Sequence, residues 1–496
     1  MAKILLVNPS YQNSYGGSIG ALVNPIFPVL SLASLAAVAR KNDHQVEVLD
    51  LSWHAYHPRY IEERIKSMRP DVVGFSVLSP SMNQVKDMSF AVKKINPHIL
   101  CIAGGPHVSA LAEESIQESS LDAVVIGEGE ETLREILSGK NLHGIDGLAI
   151  RNGEGAIFTP ERKPILDINS LPIPAWDIFD LNMYARMTSR LYARRTPFIT
   201  AEFSRGCIYK CDFCASKLTM GFGYRKKSPE RCAEEVRVMK SLGVREFALA
   251  DDIFTTDAKW AGAVCDELIK ADTGVKWSCT NGIRVESAEE GLFRKMKEAG
   301  CYRVAFGFES GNDEVLKSFG KGGRASLAKG EEAVREARKA GLETLGFFMV
   351  GLSSDNKETI YETVEFARRL PLDLLKFGVT IAFPGTKMFR DYESQGMIKS
   401  YDWDNYHIYS GFRMFAHPEL SYEDIQTCIR KAYRKAAFFN PGFLYRRLKN
   451  SILTGDFLSE IRFFFRFLRL SYSKTENHTE YPYRHLWEYK SKRKAS

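Results

Sequence analysis

The sequence predicts an α/β protein. A doubly wound, Rossmann-like N-terminal domain is followed by a partial (β/α)6 barrel and then by a mainly helical C-terminal extension. Three observations carry this expectation. Short apolar runs alternate with amphipathic stretches from Lys3 to Ile126, and the same alternation returns from Phe198 to Ile381, which is the pattern of parallel strands joined by crossover helices. The apolar runs close on Gly, Asn, Asp, Glu or Ser, the punctuation of loops at C-terminal strand ends. From Tyr401 the alternation stops and aromatic and basic helical segments take over. A chain of 496 residues is too long for one ordinary domain.

In the first domain, residues 1–140, Lys3–Asn8 (KILLVN) is an unbroken apolar run, as expected of a strand buried on both faces. Val29–Lys41 reads as a helix with Pro28 at its start, where a missing N–H costs nothing. Gln45–Asp50, Val72–Ser76, Leu100–Ala103 and Ala123–Ile126 read as strands. Ile61–Met68, Met82–Asn96 and Val108–Ser119 read as the helices between them, with another beginning at Thr132. In such sheets ligands bind beyond the C-terminal strand ends. The residues there are Asn8, Ser76, then Gly104, Gly105 and His107, and then Gly127 and Glu128. Paired glycines let a backbone come close to a ligand. Each turn alone is explained as a plain β-α connection, but four on one rim point to a ligand. No G-x-G-x-x-G follows the first strand, so a nicotinamide dinucleotide fits poorly.

Residues 141–195 read as a connector. It holds a hairpin, Gly147–Arg151 with Ala156–Thr159 across Asn152-Gly153, and a proline-spaced run. Pro174-Ala175-Trp176-Asp177 reads as a surface wrap. The barrel occupies 196–400, with strands at Phe198–Ser204, Phe247–Ala250, Lys276–Thr280, Arg303–Phe308, Thr344–Val350 and Leu375–Ile381. Polar residues collect at their C-terminal ends, the catalytic face of a β/α barrel: Asp251 and Asp252, Arg284, and Glu309.

From the end of the first barrel strand hangs SRGCIYKCDFC, with Cys207, Cys211 and Cys214 at C-x3-C-x2-C spacing. Thiolates ligate iron–sulfur clusters, and three on one short loop can hold three irons of a cubane while the fourth stays open. A zinc site is the competing reading, but it wants a fourth Cys or His at close spacing. No His lies between His143 and His407, and Cys232 is isolated. With nine cysteines, six of them scattered, a disulfide framework is a poor fit. The Asp251-Asp252 pair could hold Mg, yet no phosphate-cradling loop accompanies it.

In the extension, residues 401–496, Tyr401–Tyr406 is aromatic and acidic. Ser421–Phe439 reads as a helix capped by Ser421. Phe443–Ile452 and Phe457–Leu470 follow, and in the second Arg462, Arg466 and Arg469 share one helical face opposite a run of Phe. That pattern fits an interfacial helix or a helix packed on the barrel. The formal charge is +7, and Glu419–Ser496 holds sixteen Lys and Arg against eight Asp and Glu. The positive excess is therefore a property of the tail, not a nucleic-acid footprint. The start, MAKILLVNPS, is no signal peptide, and the uncharged stretch before Arg40 is broken by prolines into pieces too short to span a bilayer. A cytoplasmic protein with a peripheral membrane contact through 443–470 is the expectation.

The cysteine loop, with Phe213 just before its last cysteine, strongly resembles that of the radical S-adenosylmethionine enzymes. The NPS start, the GGPH turn and the IGEGEET turn resemble the cobalamin-binding domain found ahead of such barrels. Together the resemblance covers residue 1 to about 410. It implies that Cys207, Cys211 and Cys214 hold a 4Fe–4S cluster whose open iron chelates S-adenosylmethionine. It implies reductive cleavage to methionine and a 5′-deoxyadenosyl radical, and then methyl transfer from cobalamin to an unactivated carbon of a hydrophobic substrate. Oxidative cyclisation or ring rearrangement without methyl transfer is the alternative. Asp251 and Asp252 would meet the amino group of S-adenosylmethionine, Glu309 its ribose or amino acid portion, and Arg284 its carboxylate; Phe213 would pack near adenine. Asn8, Ser76, Gly104, Gly105, His107, Gly127 and Glu128 would face cobalamin. The D-x-H-x-x-G motif is absent, so His107 is expected to pack or hydrogen-bond, not to ligate cobalt. A reductant such as flavodoxin or ferredoxin would supply the electron.

Overall fold

The computed structural model describes residues 1–11, 26–187, 193–287, 289–321, 326–408, 414–458, 461, 462 and 465. The first sheet contains β1 (Lys3–Asn8), β2 (Gln45–Asp50), β3 (Val72–Ser76), β4 (Leu100–Gly104), β5 (Ala123–Val125), β6 (Leu148–Asn152) and β7 (Gly155–Phe158). Its order is β2-β1-β3-β4-β5-β6-β7, with the first five strands parallel. The chain direction across the sheet reverses between β1 and β3. Loops leaving those strands diverge there and open a crevice beyond their C-terminal ends, and Asn8 and Ser76 stand at that point. The hairpin expected in the connector is the antiparallel edge of this sheet, because β6 pairs with β5.

The helix expected at Val108–Ser119 is two: Pro106–Ala110 and Ala112–Gln117. Between them Leu111 leaves helical conformation, at φ −127° and ψ 51°, so the chain turns a corner while burying Val108 and Ile116 in the same core.

The second sheet contains β8 (Phe198–Ala201), β11 (Glu246–Leu249), β12 (Lys276–Ile283), β13 (Cys301–Glu309), β14 (Glu343–Val350) and β15 (Leu374–Val379), all parallel and adjacent in chain order. Each crossover helix packs outside, which gives the open six-stranded barrel. Two short strands, β9 (Ser204–Arg205) and β10 (Arg225–Lys226), form a separate antiparallel pair that brackets the cysteine loop.

Trp176 corrects the reading of its segment as a surface wrap. It is fully buried, and its indole N–H donates to Thr200 O at 3.2 Å. Ala175 N–H donates to Ala33 O at 2.9 Å. The segment thus ties a helix of the first domain to a strand of the barrel, and one apolar core runs beneath both. A large indole contributes most when its apolar body is buried and its N–H is satisfied.

A buried ionic network joins the domains above that core. Glu128 accepts from Arg205 Nη1 at 2.8 Å and from Arg225 Nη1 at 2.7 Å, and its second oxygen takes the Ile165 N–H at 2.8 Å. Arg205 also reaches Glu130 at 2.7 Å and Glu202 at 2.6 Å. This corrects the assignment of Glu128 to cobalamin: both its oxygens are engaged by the barrel and the connector. A planar guanidinium with five donors can serve three carboxylates at once, which a lysine cannot. Removing one partner strands the others without water, at a cost of about 3–5 kcal/mol. Arg205→Leu should therefore lower the unfolding free energy by about 3–5 kcal/mol, measured by urea titration of the full chain.

Candidate active site

The cysteine loop is positioned from below, from the side and from above. Below it lies Asp251, at the end of β11. Its carboxylate accepts the Phe203 N–H at 2.8 Å and the Ser204 hydroxyl at 2.6 Å, and burial pushes it up to about 7. Asp251 was expected at the amino group of S-adenosylmethionine. It is instead a positioning residue, nearly inaccessible and committed to the strand that launches the loop. Asp252 faces the loop itself, accepting from the Gly206 N–H and the Ser216 side chain, and its charge helps burial to hold the Cys207 thiol above its ordinary value. Of the two acids, Asp252 is the one beside the cysteines.

Gly206 leads into the loop at φ 82°, and a Cβ there would lie 2.4 Å from Gly223 O. Only glycine allows this approach of the outgoing and returning segments. The loop is then laced to the barrel rim by backbone bonds. Asp212 N–H donates to Phe319 O at 3.1 Å, and Met388 N–H donates to Asp212 O at 3.0 Å. Phe213 packs edge-on against Phe319, with ring centroids 5.7 Å apart.

The thiols of Cys207, Cys211 and Cys214 are all half-buried and free. Those of Cys207 and Cys211 are raised mainly by burial, and the neighbouring cysteines raise them further. Arg284 opposes this at Cys211, with Nη1 3.8 Å from the sulfur. Among the described residues no three His, Cys, Asp or Glu side chains converge on the position of a single ion. Three thiolates on one short loop match a polynuclear cluster, where each meets its own iron, whereas a structural zinc site wants a fourth Cys or His.

Arg284 is nearly buried. It pairs with Glu286 at 2.7 Å and lies over the Tyr209 ring at 3.7 Å. The guanidinium is thus fixed beside the loop by a carboxylate and an aromatic face.

Glu309 ends β13 at a break in register with β14, and its φ is 61°. A non-glycine residue in that region marks a conformation held by its surroundings. The carboxylate is held by Lys321, which also donates to Gly307 O. A Cβ on Gly307 would sit 2.6 Å from Glu309 Oε1 and 3.2 Å from Lys321 Nζ, so glycine makes the space for this pair. Burial, with the nearby Arg284 charge, pulls Lys321 down to about 7. The sequence reading missed Lys321, Tyr209 and Glu286. Lys321 had one signal, a lysine between glycines just beyond a short helix.

The rim of the first domain faces this mouth. Helix Pro106–Ala110 lies against helix Lys217–Met220 at the end of the cysteine loop. Gly385, in the loop after β15, fits between Ala110 and Leu218, where a Cβ would meet each within 3 Å. Gly127 stands opposite Thr219. His107 is buried, hydrogen-bonded to Ser79 Oγ at 3.1 Å and packed on Trp403, and burial pulls it down to about 3. The ring of His107 is thus committed to Ser79 and Trp403. Asn8 is occupied by Asp50 and Ser52 at 2.9 and 2.7 Å. Gly105 is explained by packing: at φ 123° its Cβ would be 2.6 Å from Val77 O. Ser76 and Gly104 are neighbours in register on the open rim, with exposed Leu78 just beyond.

Comparison with known proteins agrees with this arrangement. A family described as the B12 binding domain matches residues 18–137, and the Radical SAM superfamily matches residues 201–367. An uncharacterized methyltransferase of Pyrococcus horikoshii is 30% identical over 91% of this chain and 98% of its own. The chain is a cobalamin-binding radical S-adenosylmethionine enzyme. Members of this family work with a 4Fe–4S cluster, S-adenosylmethionine and cobalamin, and so does this enzyme. The anaerobic magnesium-protoporphyrin IX monomethyl ester cyclase of Rubrivivax gelatinosus is 25% identical over 82% of this chain and 72% of its own. In fold, the enzyme is similar to the radical methyltransferase TsrM of Kitasatospora setae, with TM-score 0.65, 19% identity, and 80% and 76% of the two chains covered. It is also similar to the cobalamin-dependent enzyme OxsB, with TM-score 0.70, 17% identity, and 93% and 72% covered.

The Glu309–Lys321 pair yields a prediction. Charge-assisted hydrogen bonds contribute about 1.5–3 kcal/mol. Lys321→Met, which frees Glu309 to move, should weaken S-adenosylmethionine binding to the reconstituted enzyme by about tenfold or more, measured by equilibrium dialysis. Iron content should be unchanged.

Proposed function

We propose that this enzyme transfers a methyl group to an unactivated carbon of a hydrophobic small molecule. The observation that carries the reading is the apposition of two rims. The C-terminal strand ends of the first sheet face the cysteine loop of the second, so groups held on either rim would face one another. Several relatives bear methyltransferase names, among them the hopanoid C-3 methylase of Methylococcus capsulatus, 26% identical over 75% of this chain and 70% of its own.

When bound, the cofactors supply the electron, the hydrogen-abstracting radical and the methyl group. The protein's own residues bind, orient and exclude water. Cys207, Cys211 and Cys214 would hold the cluster and leave one iron open. Asp252 and Glu309, on the rim, suit an ammonium and a ribose diol. Arg284, fixed by Glu286 and Tyr209, suits a carboxylate. Asp251 and Arg205 keep the loop in register with both domains. Phe213 and Leu78 supply apolar surface around the mouth.

Three further elements belong to the proposal. A small one-electron carrier of the flavodoxin or ferredoxin kind serves as reductant. The setting is cytoplasmic. The basic, Phe-rich segment 443–470 makes a peripheral membrane contact; of its arginine face, Arg466 and Arg469 lie outside the described residues. Among the described residues, no helix is long and apolar enough to cross a membrane. Helix Pro441–Thr454 lies at the N-terminal strand ends, where Arg446 donates to Leu372 O at 2.9 Å and Asn450 to Asp373 at 3.0 Å. A strand of eight residues spans roughly 25 Å, so this contact would hold the enzyme with its mouth turned away from the bilayer.

Oxidative cyclisation is the second reading, favoured by the cyclase relatives. Reduced enzyme incubated with host lipid extract and methyl-labelled S-adenosylmethionine separates the two. Methyl transfer requires label in the product. A product changed in mass but unlabelled would remove methyl transfer and leave cyclisation or rearrangement.

A further inference from the structure

The end of the barrel remote from the cysteine loop holds a cavity of about 190 Å³. It lies where β12 and β13 begin and where the chain enters β8. Four cations line it, Arg194, Arg195, Lys276 and Lys297, with Tyr302 and Gly300 as walls. Among the described residues no Asp or Glu lines it.

The charge there is not cancelled. Arg194 lies over Tyr302 and reaches Glu343 at 3.3 Å. That one carboxylate is already shared with Arg303 at 2.7 Å and Arg447 at 3.6 Å. The next acid, Glu246, is pushed up to about 7 by burial and accepts from the Tyr302 hydroxyl and the Arg195 backbone N–H. The side chains of Arg195 and Lys276 form no ion pair among the described residues. Burial lowers Lys297, and the charges of Arg194 and Lys276 lower it further against the opposing pull of Glu343, as expected where cations outnumber the nearby carboxylates. The volume is below that of pockets for drug-sized ligands; it suits one phosphate group.

The same end carries an apolar ridge. Helix Pro441–Thr454 exposes Leu444, Leu448 and Ile452 at i, i+4 and i+8, with Tyr445 beside them. Its Arg447 takes the oxygen of Glu343 that Arg194 leaves, so ridge and cavity flank one side chain. Cations beside an exposed apolar helix face match an anionic bilayer, where Lys and Arg meet head groups and apolar side chains enter the acyl boundary.

We propose that this cavity binds the phosphate of an anionic phospholipid while the Leu444–Leu448–Ile452 ridge enters the bilayer. The choice of lipid as the source of phosphate rests on the peripheral membrane contact proposed above; the phosphate site itself does not.

The test uses the full-length, cluster-loaded enzyme. Flotation compares vesicles of phosphatidylcholine alone with vesicles containing phosphatidylglycerol, and calorimetry with inorganic phosphate runs in parallel. Wild type should partition at least about 25-fold more strongly onto the phosphatidylglycerol vesicles. The variant Arg195→Gln/Lys276→Gln should lose most of that preference. Each juxtamembrane charge changes partitioning about fivefold, so roughly 25-fold is expected for the pair. Its binding to neutral vesicles, its iron content and its melting temperature should match wild type. Leu444→Asp/Leu448→Asp should abolish binding to both vesicle types. Full phosphatidylglycerol preference in Arg195→Gln/Lys276→Gln overturns the site. Capture of inorganic phosphate without preference for phosphatidylglycerol overturns lipid as the occupant while the phosphate site stands, and capture of phosphate with no binding to either vesicle type removes the membrane contact as well. Failure to bind both vesicles and phosphate overturns the whole proposal.

Discussion

Glu128, Arg205 and Arg225 hold the two halves of this enzyme in one geometry. Arg205 stands two residues before Cys207, and Glu128 stands in the turn after the fifth strand of the first sheet. A single buried carboxylate therefore connects the rim of one domain to the root of the cysteine loop of the other. Buried charges are expensive unless every lone pair finds a donor. Here most of the cost is offset by five closely spaced partners, Glu128, Glu130 and Glu202 around Arg205 and Arg225, with Arg225 Nε left as a buried donor without a partner among the described residues and the Trp176 bridge packed beneath. Such a network adds little to net stability over an apolar contact, but it tolerates few alternative registers, and register is what a shared reaction space requires.

The site shows a division of labour among similar residues. Asp251 and Asp252 are adjacent, yet one props the strand below and the other faces the thiols. Arg205 and Arg284 both flank the cysteines, yet the first binds the neighbouring domain and the second leans over Tyr209 toward Cys211. Glu309 is held out of ordinary backbone space by a register break and by Lys321. Residue type alone does not predict these roles. They follow from which strand end each residue occupies and from which partner reaches it first.

Much of this was legible in the sequence. The strand runs KILLVN and VVGFS stand where their apolar patterns put them, because a parallel strand buried on both faces leaves little freedom of assignment; QVEVLD, a half-exposed edge strand, is placed by its alternation. The cysteine spacing likewise marked a loop that leaves the C-terminal end of the first barrel strand. What failed was the step from motif to contact. The GEGE turn was read as a ligand rim, although its Glu128 serves the domain junction. Gly105 was read as room for a cofactor, although Val77 O occupies that room. Trp176 was read as surface because prolines surround it. In each case the deciding partner lies far away in the chain, at a separation that periodicity and spacing do not encode. Lys321 was missed for the same reason: its partner Glu309 is near in sequence, but their pairing depends on the space left by Gly307.

The two ends of the barrel have different chemistry. One gathers thiols, acids and a fixed guanidinium against the rim of the first domain. The other gathers unneutralised cations and an exposed apolar helix. The central claim concerns the first: that Cys207, Cys211 and Cys214 together hold a cluster with one iron left for S-adenosylmethionine. Electron paramagnetic resonance of the anaerobically purified, reduced enzyme, with iron and sulfide analysis of the same sample, tests it most directly. The prediction is about four irons and four sulfides per chain and a cluster signal that shifts when S-adenosylmethionine is added. Zinc in place of iron, or a cluster signal indifferent to S-adenosylmethionine, would contradict it.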